Sequence, residues 1–123
     1  KKIGFNCIQS DLFSNISRNK KFDLIIFNPP YLPKDKYDNL NDTTGGKTGD
    51  ETILKFLTQA REYLKNKGKI LLLTSSFTPP INFKNYKAKI IEEKPIFFEK
   101  LYVWEIRLNK DEKLINSLII WKI

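Results

Sequence analysis

The tetrapeptide Asn28-Pro29-Pro30-Tyr31 combines groups that can act together on an –NH2 nitrogen. The Asn28 side chain offers a carbonyl oxygen, and Pro29 offers a backbone carbonyl that no sheet ladder claims. Between them they can accept both hydrogens of the group. The prolines stiffen the turn, so little has to be ordered when a substrate arrives. Tyr31 adds an aromatic face to lie against a flat amide or base. An amide or aromatic amine is a poor nucleophile because its lone pair is delocalised. Acceptors on its hydrogens pull the nitrogen towards a tetrahedral shape, localise the pair and ready it for in-line attack on an activated methyl group. Catalysis of this kind works by positioning and electrostatics. It needs neither a metal nor a strong base before transfer. The plain alternative is a strand merely stopped by prolines.

The placement of the motif favours chemistry. Phe22-Asp23-Leu24-Ile25-Ile26-Phe27 is a nearly continuous apolar run, the pattern of a strand covered on both faces in a parallel sheet. Ligands of open parallel sheets bind at the carboxyl ends of the strands, where the motif falls. A long polar loop follows from Leu32 to about Thr48, with Gly45-Gly46 inside it. Thr48-Gly49-Asp50-Glu51 matches a capping box that opens a helix. Ile53, Leu54, Leu57, Ala60 and Leu64 share one face of that helix, Lys65 and Lys67 suit its negative end, and Gly68 serves as its C-terminal cap.

Lys69–Thr74 is a second buried strand, which completes a βαβ unit expected to be right-handed. Ile81–Lys87 reads as a short helix. Lys89–Glu92 and Leu101–Leu108 read as strands close enough in sequence to end a mostly parallel sheet in an antiparallel pair. Phe5–Gln9 reads as a short strand, with Cys7 as a small buried apolar residue. The tail, Lys110–Ile123, fits a helix or a strand equally well.

Composition narrows the classes. With 41% apolar and 29% charged residues in 123, the chain reads as one soluble globular domain, and its apolar runs are too short for a membrane helix. No signal-peptide pattern opens it, so a cytoplasmic location is expected. A single cysteine excludes an internal disulfide. The absence of histidine excludes Ser-His-Asp hydrolysis and most zinc chemistry. The net charge of +8 suits an acidic partner such as nucleic acid, but the lysines are scattered rather than clustered.

The strings Ile8-Gln9-Ser10-Asp11-Leu12-Phe13 and Phe22-Asp23-Leu24-Ile25-Ile26-Phe27-Asn28-Pro29-Pro30-Tyr31 resemble the HemK-type protein glutamine N5-methyltransferases. Gly45-Gly46-Lys47-Thr48-Gly49 and Phe97-Phe98-Glu99-Lys100-Leu101 are similar to the archaeal and eukaryotic branch, which acts on class 1 peptide-release factors. The resemblance implies an α/β fold: the C-terminal two-thirds of a Rossmann-like class I methyltransferase sheet, mostly parallel with an antiparallel last strand. By the same resemblance, Asn28 and the Pro29 carbonyl hold the glutamine amide of a Gly-Gly-Gln motif, and Pro30 and Tyr31 complete the substrate site. Asp11 accepts from the adenine amino group of S-adenosyl-L-methionine, Leu12 lines the adenine pocket, and Asn28 is shared with the cofactor site. The plain reading of Asp11 is a turn residue. A small zinc-binding activator protein is an implied partner, and no bound metal is expected in the chain.

Residues 1–108 are thus expected to be a partial methyltransferase domain without its first βαβ unit, and 109–123 an extension of unknown role. No Gly-x-Gly cofactor loop is present, so this stretch by itself is expected to bind S-adenosylmethionine weakly. Adenine-N6 methylation of DNA or RNA shares the Asn-Pro-Pro-Tyr motif and stands as an alternative function. A non-catalytic module that pairs through the edge of Phe5–Gln9 is a further one.

Overall fold

The computed structural model describes residues 4–30 and 49–109. Tyr31, the Gly45-Gly46 loop, Thr48 and the tail 110–123 lie outside the described residues. A four-stranded sheet is built from β1 (Phe22–Phe27), β2 (Leu64–Ser75), β3 (Tyr86–Ile96) and β4 (Glu99–Leu108), in the order β1-β2-β4-β3. β1 and β2 run parallel, with Ile25 opposite Ile70 and Phe27 opposite Leu72. β4 turns back between β2 and β3 and is antiparallel to both. β1, β2 and β3 therefore run one way and only β4, the last described strand, runs the other, so the expected α/β sheet, mostly parallel with an antiparallel last strand, is the one observed; β4 lies inside the sheet order. Pro95 falls on β3, an edge strand, where a missing N–H costs least.

One helix, α1 (Glu51–Ala60), and a short 3-10 turn (Arg61–Tyr63) cover one face of the sheet. Ile53, Phe56, Leu57 and Ala60 recur at i, i+3, i+4 and i+7, and all are buried. They meet Ile25, Ile70, Leu72 and Ile106 from the strands. Tyr86 closes the floor of this core by donating its hydroxyl to the Leu57 carbonyl at 2.5 Å.

The chain departs from the sequence reading in several places. The helix stops at Ala60, and Leu64–Gly68 belongs to β2, so Lys65, Lys67 and Gly68 are not a helix end. Leu64 satisfies helical spacing but is buried as a strand residue opposite Phe22. The register then slips between Phe22 and Leu24, and Gly68 sits in the irregular stretch. A Cβ there would meet the Phe22 carbonyl oxygen at 2.8 Å. Leu54 is exposed, and Phe56 takes its place on the buried face.

β1 is covered on one face only by the described residues. Ile25 is buried while Leu24 and Ile26 are exposed, because α1 is the single helix among those residues. Residues 4–10 form no strand, since no ladder partner lies beside them among the described residues. Phe5 and Cys7 are accordingly exposed. The proposed pairing edge at Phe5–Gln9 is therefore absent. Ile81–Lys87 forms no helix; a turn at Lys84-Asn85 leads straight into β3. Among the described residues no helix is long and apolar enough to cross a membrane.

Candidate active site

β1 carries its chain out of the sheet at Phe27, so Asn28, Pro29 and Pro30 sit at the carboxyl end of a strand that is parallel to its neighbour. Pro29 is buried, Pro30 half-buried and Asn28 exposed. Burial of one proline braces the corner from below, while the asparagine remains accessible to a ligand. This division suits an acceptor held in place before its substrate arrives.

Phe27, the residue before the corner, stacks on Phe56 of α1 with ring centroids 4.1 Å apart. Phe56 also stacks on Phe13 at 5.5 Å, and Phe13 lies on Tyr63 at 4.6 Å and nearly parallel to it. Phe13 belongs to the turn that contains Asp11 and Leu12. One aromatic column therefore ties the two sequence-predicted half-sites to the same helix. Sequence reasoning missed Phe56 as its keystone, although the spacing of Ile53, Phe56, Leu57 and Ala60 was available to find it.

The turn around Asp11 is fixed by its own hydrogen bonds. The Asp11 N–H donates to Ser14 Oγ at 3.2 Å, and the Ser14 N–H donates to the Asp11 carbonyl at 3.0 Å. The Phe13 N–H reaches Gln59 Oε1 on α1 at 3.4 Å. The Asp11 carboxylate points into solvent, with Lys55 Nζ 3.6 Å away. With both partners largely exposed, this pair stabilises little. It leaves a carboxylate oxygen able to accept from an exocyclic amine. Leu12 adopts φ 53°, a left-handed conformation unusual for leucine, and packs against the core cluster.

An exposed oxygen acceptor is thus set beside an apolar side chain held in an uncommon backbone conformation, a pairing able to take a heteroaromatic amine. Among the described residues no group of acidic or cysteine side chains could hold a metal ion.

At the far side of the same end of the sheet, β2 finishes at the buried Thr74 and Ser75. Ser75 Oγ donates to Glu99 Oε2 at 2.5 Å and accepts the Phe77 N–H at 3.0 Å. Thr74 Oγ1 accepts the indole N–H of Trp104 at 2.9 Å. These bonds close the strand end and fix the start of β4 beside it.

A sheet ordered in this way, with an Asn-Pro-Pro corner at the carboxyl end of a parallel strand, is that of the class I methyltransferase fold. The protein Mtq2 of E. cuniculi, solved in a complex with Trm112 that is responsible for methylation of the termination factor eRF1, has this fold. It matches with a TM-score of 0.66 at 24% identity, over 85% of this chain and 62% of that one. The profile of the Eco57I restriction-modification methylase family matches residues 3–101, and the chain belongs to that family.

A protein of Methanocaldococcus jannaschii named as a protein N5-glutamine methyltransferase is 33% identical over 112 residues, which is 82% of this chain and 56% of that protein. A release factor glutamine methyltransferase of Rhodopirellula baltica is 31% identical over 75 residues, 53% of this chain and 25% of its own length. The chain thus spans about half of the first of these relatives and a quarter of the second.

Proposed function

We propose that the whole protein transfers a methyl group from S-adenosylmethionine to the side-chain amide nitrogen of a glutamine in a peptide-release factor, within a Gly-Gly-Gln segment. The observation that carries this reading is the exposed Asn28 on a proline-braced corner at the carboxyl end of β1. The names of the Methanocaldococcus and Rhodopirellula relatives support glutamine as the acceptor.

In this reading the Asn28 side-chain oxygen and the Pro29 carbonyl accept the two N–H groups of the substrate amide. That orients the nitrogen, draws it towards a tetrahedral shape and so raises its nucleophilicity. Tyr31 packs against the amide plane. Asp11 accepts from the adenine amino group and Leu12 borders the ring. The bound cofactor supplies a methyl on a positively charged sulfur, whose bond electrons stay with the sulfur on transfer. The amide gives up one proton after the new bond forms, from the oxygen acceptors to water.

The E. cuniculi protein is complexed with Trm112, which supports a partner protein for the whole enzyme; the resemblance to the release-factor branch makes that partner a small zinc-binding activator. Such a reaction on release factors would take place in the cytoplasm.

The test is transfer of labelled methyl by the full-length protein to an intact release factor, with Asn28→Ala as the control. Loss of labelling in the variant, with cofactor binding kept, supports the reading. A second reading, adenine-N6 methylation, is favoured by the restriction-modification description of the family and by the net charge of +8. Transfer to DNA or RNA in place of the release factor would establish it and overturn the first.

A further inference from the structure

The β3–β4 hairpin ends in Phe97 and Phe98, which are 99% and 96% exposed. Two adjacent phenylalanines at a hairpin tip are an uncommon exposure of apolar surface. Phe97 also adopts φ 47°, in the left-handed region where tight hairpins take glycine or asparagine. The two-residue turn requires the left-handed conformation but not phenylalanine, so the tip carries both solvent exposure and a backbone that bulky residues avoid. Phenylalanine kept where glycine or asparagine would relieve the backbone raises the question of what the rings contact.

The topology sets the tip at the active end of the sheet. Phe27 is paired with Leu72, β2 continues to Ser75, and Ser75 is paired with Leu101, from which β4 leads back to Phe98. At about 3.3 Å per residue the tip stands roughly 20 Å beyond the level of Phe27, on the side where Asn28 leaves the sheet. Its root is firm: Ser76 N–H donates to the Lys100 carbonyl at 2.8 Å, and Ser75 binds Glu99. A side chain this far out cannot touch the reacting amide, but it can reach the body of a large substrate whose target group lies at Asn28. Charge decides which kind. Near the tip, Glu92, Glu93 and Glu99 outnumber Lys94 and Lys100, and Glu93 is paired with Lys100 at 4.0 Å. A nucleic-acid contact would need an excess of cations, whereas an apolar recess in a folded protein needs none.

We propose that Phe97 and Phe98 are the docking contact for a protein substrate, inserting into an apolar hollow of the release factor while its glutamine reaches Asn28. The inference rests on the glutamine-methylation reading and adds its remote specificity contact. The test uses the full-length enzyme and the double variant Phe97→Gly/Phe98→Ser, which suits the left-handed turn and so preserves the hairpin.

The expected result is a KM for the intact release factor raised at least tenfold, with kcat unchanged. The variant should keep wild-type kcat/KM on a short Gly-Gly-Gln peptide, and its Tm should be unchanged or higher. An unchanged KM for the intact protein would overturn the proposal, as would an equal loss on the peptide. Weakened nucleic-acid binding with an unchanged protein KM would overturn it in favour of a base-stacking contact. If the wild-type enzyme labels neither protein nor peptide, the glutamine reading itself fails and takes this contact with it.

Discussion

Replacing Phe56 by alanine should both loosen the fold and misalign the candidate site. The ring is 2% exposed, and it is clasped by Phe27 at 4.1 Å and by Phe13 at 5.5 Å. Truncating a buried phenylalanine costs about 3–5 kcal/mol, more where the surroundings cannot collapse into the space. Here the walls are a sheet strand and a turn pinned to α1, so a value near the upper end, about 4 kcal/mol, is expected. Loss of two offset ring contacts, roughly 0.5–1.5 kcal/mol each, falls within that figure.

Phe56→Leu fills most of the volume and should cost no more than about 2 kcal/mol. The assay is equilibrium urea unfolding of the full-length protein, followed by methyl transfer well below the melting point. There Phe56→Leu should lower kcat and cofactor affinity less than Phe56→Ala does, because Asn28 hangs from Phe27 and the Asp11 turn from Phe13. A cost for Phe56→Ala below about 1 kcal/mol would show that the column does not hold the two half-sites together.

Two further predictions concern the frame. Gly68→Ala places a methyl against the carbonyl oxygens of Phe22 and Asp23, at 2.8 and 3.1 Å; backbone must shift, so thermal unfolding should show a loss of about 1–3 kcal/mol, and an unchanged Tm would contradict it. Tyr86 is buried with its hydroxyl on the Leu57 carbonyl, and burial pushes its ionisation well above the ordinary tyrosine range near 10. The neutral phenol is favoured by the fold, so its contribution is complete below about pH 10 and is lost as pH rises above that value. Tyr86→Phe should lower stability by about 1 kcal/mol at neutral pH and flatten the decline at alkaline pH, measured by denaturant titration at several pH values.

The parts legible in the sequence were those whose signal is local. Phe22–Phe27 and Ile70–Leu73 announced themselves as strands through unbroken apolar runs, and Asn28-Pro29-Pro30 ended the first where the structure ends it. The close spacing of the last two strands led correctly to an antiparallel pair. What failed depended on distant neighbours. Leu64 and Gly68 satisfy a helix rule and a cap rule, yet pairing with β1 claims them for β2. Phe5–Gln9 has strand-like composition, but a strand needs a ladder, and none of the described residues supplies one. Placement of β4 between β2 and β3 is a tertiary choice that no window of residues contains. For the site, residue types marked Asn28 and Asp11, while the Phe13–Phe56–Phe27 column that links them crosses three separate segments, of which only the spacing around Phe56 carried a signal of its own.

In the proposed reaction an oxygen acceptor on Asn28 activates the substrate –NH2. The most direct test of this role is single-turnover methyl transfer to a release factor by the full-length Asn28→Ala protein, with binding of S-adenosylmethionine measured beside it. Expected are a wild-type Tm, a cofactor affinity changed far less than the rate, and a rate lowered about 100-fold or more, the scale of losing one transition-state hydrogen-bonding group. A variant that transfers methyl within about threefold of the wild-type rate, well short of the loss of such a group, would contradict this role.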